Sequence, residues 1–152
     1  MTNPNISSLS DRELLIETQR VAGTERQTTA ALVALLAEVD TRRLYLGEGY
    51  SSLFAFCTRA LHLSEQAAYG RITAARAARR FPTILSRLAE GAISLTTVGL
   101  LAPHLTDDNH EAIIDAARGR SKRDVERLVA AIQPQPDIPS SIRALPVTPP
   151  VP

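Results

Sequence analysis

Apolar residues in this chain recur at three- and four-residue intervals, the period of a helix with one buried face. The two-residue alternation of a half-buried strand is nearly absent. The first helical stretch opens at Ser10-Asp-Arg-Glu13, a hydroxyl N-cap with a carboxylate three residues on. Its apolar stripe begins with Leu14, Leu15 and Thr18, and Gly23 marks a place for a kink or a split. The pattern resumes from Thr24 as Leu32, Leu35, Leu36 and Val39 and ends near Leu44, before the loop Gly47-Glu-Gly-Tyr50. Ser51 or Ser52 caps a short helix holding Leu53, Phe54, Phe56 and Cys57, and Ser64 caps the helix that runs on to Arg80.

Phe81-Pro82 stops that helix and starts the next, lined by Ile84, Leu85 and Leu88 and closed by Gly91 in the left-handed conformation. Ser94 opens a short helix with Leu95, Val98, Leu100 and Leu101, and Pro103 closes it. Thr106 caps another, with Asp107, Asp108 and Glu111 near its positive end, an apolar side of Ile113, Ile114 and Ala117, and Gly119 at its stop. Ser121-Lys-Arg-Asp124 resembles a second capping box ahead of Val125, Leu128, Val129 and Ile132. The expected fold is therefore all-α, a bundle of seven or eight helices. Residues 1–9 form a flexible N-terminus and 10–133 the helical domain. Residues 134–152 form a linker or tail, since seven of those 19 are proline, which favours extended polyproline structure.

Composition adds bounds. A chain of 152 residues reads as one domain with a tail. A domain of that size buries about 68–70% of its unfolded surface and needs no disulfide or metal to fold. Cys57 is the only cysteine, so no internal disulfide can form, which fits a reducing cytoplasm. No basic-then-apolar leader opens the chain, and no apolar run approaches the roughly 18 residues of a membrane span. The expectation is a soluble cytoplasmic protein without a membrane partner.

Charge then singles out one helix. The formal net charge is only +1, yet Arg59 to Arg87 holds six arginines and one acid, Glu65. Indexed at about 100° per residue, Gly70, Ala74, Ala77, Ala78 and Phe81 fall on one side of the helix, small enough to pack closely on a neighbour. Tyr69, Ile72, Thr73, Arg76, Arg79 and Arg80 fall on the other. A local stripe of guanidinium groups beside an aromatic ring is a footprint for phosphate or another polyanion.

The segment Leu53–Leu61, a turn around His62–Ser64, and the helix from Glu65 have the lengths of a helix-turn-helix. In that motif the second helix enters the major groove and its early residues meet base edges. Gln66 and Tyr69 are the candidates for base or sugar contact, while Arg71, Arg76, Arg79 and Arg80 are the candidates for phosphate. The turn usually takes glycine at its left-handed position. Here His62 stands there, a residue that tolerates this conformation better than most but less well than glycine. The plainer alternative is an ordinary helical hairpin with a solvated arginine face.

A second basic cluster, Arg118, Arg120, Lys122, Arg123 and Arg127 against Asp124 and Glu126, spans a helix end and the next helix start. Lys122 and Arg123 are further phosphate candidates, whereas Arg118 suits the C-terminal end of its own helix. His104, Asp107, Asp108 and His110 lack the i,i+3 or i,i+4 histidine spacing of a helical metal site, and the carboxylates have a sufficient role at the helix start. Cys57 lies on an apolar helix beside Phe56 and Ala60 and reads as packing. The chain has no Walker loop, dinucleotide glycine motif or nucleophile elbow. No catalytic residue, metal or cofactor is therefore assigned.

Several segments together resemble the N-terminal helical region of bacterial HNH endonuclease-like proteins. They are Leu9-Ser-Asp-Arg-Glu-Leu-Leu15, Ala37-Glu-Val-Asp-Thr-Arg-Arg-Leu-Tyr-Leu46 with Ser51-Ser-Leu-Phe54, and Leu61-His-Leu-Ser-Glu-Gln-Ala-Ala-Tyr69 running into Ile72–Pro82. Leu101-Ala-Pro-His-Leu-Thr106 and Gly119-Arg-Ser-Lys-Arg-Asp-Val-Glu126 fit as well, so the resemblance covers about residues 9 to 145. In that group a proline-rich linker follows the helical region and the nuclease module, with His and Asn around a divalent metal, lies further on. This chain stops inside such a linker, and its three histidines match none of the nuclease positions. The resemblance implies DNA as partner and a downstream nuclease module as the seat of any cleavage.

The leading expectation is thus a DNA-binding or target-positioning helical module. An alternative is a protein-interaction module, a homodimer paired through Leu32, Leu35, Leu36 and Val39. The third is a metal-dependent endonuclease acting with this chain alone, for which no ligand set is visible.

Overall fold

Ser10 starts the longest helix by giving two orphan backbone donors a partner. Its hydroxyl accepts from the Glu13 N–H at 3.2 Å, and the Glu13 carboxylate accepts from the Ser10 N–H at 3.0 Å. From this box α1 runs unbroken over Asp11–Arg42. Gly23 does not split it. Glycine inside a helix costs only about 1 kcal/mol against alanine, and good helix formers on both sides outweigh it. Arg43 ends α1 in the left-handed conformation (φ 51°), its N–H donating to the Asp40 carbonyl, and Leu44–Gly47 form a single turn, α2.

The computed structural model describes residues 5–132, and all regular structure among them is helical, with eight α-helices. The proline-rich stretch 134–152 lies outside the described residues. Of the N-terminal segment, Ile6–Ser8 form a 3-10 turn. After α2 come α3 (Leu53–Ala55), continued by a π-helical turn over Phe56–Ala60, then α4 (Glu65–Arg80), α5 (Thr83–Glu90), α6 (Leu95–Leu101), a 3-10 turn over Ala102–His104, α7 (His110–Ala117) and α8 (Lys122–Ile132).

Serine hydroxyls cap these helices where the sequence places them. Ser52, Ser64, Ser94 and Ser121 accept from the N–H three residues on, in Ala55, Ala67, Thr97 and Asp124. One start differs. Thr106 and Asn109 satisfy each other reciprocally, the Asn109 side chain accepting from the Thr106 N–H at 2.7 Å and the Thr106 hydroxyl from the Asn109 N–H at 3.2 Å. α7 proper therefore begins at His110, and Asp107 and Asp108 occupy the turn before it rather than its first turn.

α4 is the centre of the domain, packed against α1, α5 and α6, while α8 docks on α6 and α7. It buries Ala68, Ile72, Ala74, Ala75 and Ala78. Small side chains there leave room for neighbouring helices, and Val33 and Leu36 of α1 are buried. α5 adds Ile84 and Leu88, α6 Val98 and Leu101, α7 Ile113, Ile114 and Ala117, and α8 Val125.

The stripe proposed for pairing divides. Leu36 is buried, and Leu32 and Val39 pack against the core, leaving Leu35 alone at 65% exposure. Three of the four residues thus serve the domain's own interior. The N-terminal half of α1 contributes no buried residue before Ala30, and Leu14, Leu15, Ile16 and Val21 are all exposed. Among the described residues no helix is long and apolar enough to cross a membrane.

Candidate nucleic-acid interface

A short helix and a turn lead into α4. Leu53–Ala60 is helical, though its second part is a π turn closed by the Leu61 N–H donating to the Phe56 carbonyl at 3.2 Å. His62 then takes the left-handed conformation (φ 57°) at the position where the sequence predicts it. The Leu63 N–H donates back to the Cys57 carbonyl at 3.1 Å, which fixes the turn. Cys57 itself is fully buried beneath, and burial pushes its thiol pKa up, so it stays neutral packing.

Helix geometry sorts the candidate residues. Residues three, four and seven apart share a face. Tyr69, Thr73, Arg76 and Arg80 fall on one such line, with Gln66 beside them at the N-terminal end. Tyr69 is 71% exposed, an unusual position for an aromatic side chain with nothing from the domain covering it. This is the face that the charge pattern predicts, but with a different membership.

Two residues leave it, Ile72 and Arg79. Ile72 is buried, because with Ala68 and Ala75 it forms the face of α4 that meets the core. Of the side expected to pack, Ala74, Ala78 and Phe81 are buried, Ala77 is half-buried against the core, and Gly70 is half-buried. Arg79 extends the line of Ile72 and Ala75 beyond the point where α4 leaves the core. It is exposed there without an ion-pair partner among the described residues, off the line of Arg76 and Arg80. Arg71 is half-buried and folds along its own helix, Nη1 donating to the Ala67 carbonyl at 3.2 Å while its Nε finds no partner.

The two arginines that remain are held by carboxylates from other elements. Arg76 Nε donates to Asp40 of α1 at 3.2 Å. Arg80 stands 3.8 Å from Asp107, and its guanidinium carbon lies 4.8 Å from the centre of the Phe81 ring, which itself stacks on His110 at 4.7 Å. Neither acid could be matched to its arginine from the sequence, since 36 residues separate Arg76 from Asp40 and nothing local marks the pair. Both arginines are well exposed. Exposed pairs of this kind are worth only about 0.2–1 kcal/mol, so they orient the guanidinium groups without locking them away from a stronger anion.

Beside this face runs a groove of about 420 Å³ between α4 and α6, lined by Gln66, Tyr69, Gly70, Thr73, Thr96 and Gly99. Sequence reasoning missed the α6 side of it. The available signal was Gly99, a glycine inside a helix with open space where a side chain would stand. Lys122 and Arg123 sit in the first turn of α8, both exposed, with Lys122 3.9 Å from Glu126. Their helix docks on α6 and α7, so they form a separate basic patch rather than an extension of the α4 line.

The histidine and aspartate cluster near α7 has structural duties. His110 Nδ1 lies 2.9 Å from the Asp107 carbonyl and 3.0 Å from that of Thr106. The Asn109 amide donates to the His104 carbonyl at 3.1 Å. No family model matches this chain, and no curated protein or solved structure matches it either.

Proposed function

We propose that this domain binds duplex DNA through the exposed line of α4, as a target-positioning module of the kind the HNH endonuclease-like resemblance implies. The observation that carries the reading is the convergence of Gln66, Tyr69, Arg76 and Arg80 on one solvent-facing line, directly after the left-handed His62 turn. Gln66 and Tyr69 come early on the helix, where a recognition helix meets base edges or sugars. Arg76 and Arg80 come later, where phosphate contact fixes position. Arg79 and the Lys122–Arg123 patch are peripheral phosphate contacts in this arrangement, and Arg71 supports the helix. Any cleavage belongs to a separate HNH nuclease module.

The test is binding to labelled duplex DNA across a salt series. Log affinity is expected to fall linearly with log salt, with a slope of about −0.9 per phosphate neutralised. Arg76→Glu/Arg80→Glu is expected to lower affinity by at least about tenfold and flatten that slope, with an unchanged melting transition. Equal affinity of variant and wild type would sink the assignment of this face.

A second reading has its own observation. Leu14, Val21 and Leu35 lie on one line of α1, seven and then fourteen residues apart with Thr28 between the last two, and all three are exposed. A row of this kind suits pairing with a second copy of the chain, helix against helix. Sedimentation at micromolar concentration is expected to show a dimer that Val21→Glu dissociates, and a wild-type monomer would remove this reading.

A further inference from the structure

One recess among the described residues has no α4 residue in its lining. It holds about 580 Å³ and is walled by α1, the turn between α5 and α6, and the turn between α7 and α8. Two arginines from distant parts of the chain line it, Arg26 from α1 and Arg120 from the α7–α8 turn. Neither has an ion-pair partner among the described residues, although Glu25 lies in the same wall. The nearby arginines differ. Arg87 is bound to both Glu90 and Asp115 at 3.4 Å, and Arg118 stands 3.9 Å from Glu90.

The recess is braced rather than incidental. Gly91 stands in the left-handed conformation (φ 79°), and a Cβ built on it would come within 2.7 Å of Arg26 Nε. The backbone angle favours glycine here, and the Arg26 guanidinium lies in the space a side chain would take. The Gly119 N–H donates to the Ala92 carbonyl at 2.9 Å, tying the turn that carries Arg120 to the turn on which Arg26 rests. On the same wall Thr97 is the one buried polar side chain of the described residues, its hydroxyl 3.1 Å from that of Ser94. Leu88 and Ile93 give a buried apolar floor. The C-terminal carbonyls of α5 account for a cation at Arg26, since that helix end favours positive charge. They do not account for a second one at Arg120.

We propose that this recess binds a small organic phosphate. Two guanidinium groups and neighbouring hydroxyls offer more donors than a carboxylate's two oxygens can use, and they match the several oxygens of a phosphoryl head. Leu88, Ile93 and Leu95 then receive an apolar body. The volume lies within the roughly 300–1,000 Å³ of small-molecule sites. The site is independent of the DNA face and stands whether or not that face binds DNA.

The experiment is a titration of the chain with phenyl phosphate, followed by amide and arginine side-chain NMR, with phenol as the uncharged control. Saturable shifts are expected at Gly91, Ala92, Gly119 and Arg120, with no comparable response to phenol. Arg120→Gln and Arg26→Gln are each expected to weaken binding by about tenfold, the loss of one charge-assisted contact. Arg26→Lys serves as a charge-retaining check that the Gly91 turn stays folded. Arg76→Glu/Arg80→Glu is expected to leave the binding unchanged. Shifts that rise linearly without saturating, that centre on α4, or that survive Arg120→Gln would overturn the proposal.

Discussion

The two halves of α1 share one backbone, one N-cap and similar helix propensity, yet they live in different environments. From Ala30 onward the helix buries Ala30, Val33 and Leu36 between α4 and α5. Before Ala30 it buries nothing, although it carries four large apolar residues, Leu14, Leu15, Ile16 and Val21. At 1.5 Å per residue the whole helix is about 48 Å long, more than a domain of this size can cover. The difference shows that apolar content along a helix reports its period, not its burial. Burial depends on whether another element lies alongside.

The sharpest way to break this comparison is a matched pair of deletions. Leu36→Ala removes a side chain that is 2% exposed and is expected to cost about 2–5 kcal/mol, read as a lower denaturant midpoint. Leu15→Ala removes one that is 64% exposed and is expected to stay within about 0.5 kcal/mol of wild type. Similar losses from the two would mean that the N-terminal half is covered in solution, which would favour the self-pairing reading.

A smaller effect sharpens the same contrast. Ser10→Ala removes the hydroxyl that accepts from the Glu13 N–H, leaves the Ser10 N–H to Glu13 carboxylate bond in place, and is expected to cost about 1 kcal/mol locally. Because the first turns of α1 touch no core, that loss should appear as faster hydrogen exchange over residues 11–20 with an unchanged global transition. A drop in the global transition would show the two halves unfolding as one unit.

The elements themselves were legible because their signals are local. Ser10, Ser52, Ser64, Ser94 and Ser121 each act on a donor three residues away, and Gly91 and Gly119 supply positive φ at helix ends. The left-handed turn at His62 was legible for the same reason. Where local signals were weak, the reading slipped. Gly23 was too mild a breaker to end α1, and the Thr106–Asn109 pair shifted the start of α7 by one turn.

The candidate site was only partly legible. A helical wheel puts Tyr69, Arg76 and Arg80 together, but it cannot say which arc faces inward. The roll of α4 turns Ala68, Ile72 and Ala75 into the core, and that removed Ile72 and Arg79 from the expected face. By itself the sequence determined an all-helical chain, its caps and turns, and one arginine-rich helix, all consequences of neighbours within about four residues. The tertiary structure alone decided that Asp40 holds Arg76, that Arg26 and Arg120 share a recess, and that the first turns of α1 bury no residue. Those depend on residues far apart in the chain, whose meeting is fixed by how the helices pack and leaves no local mark.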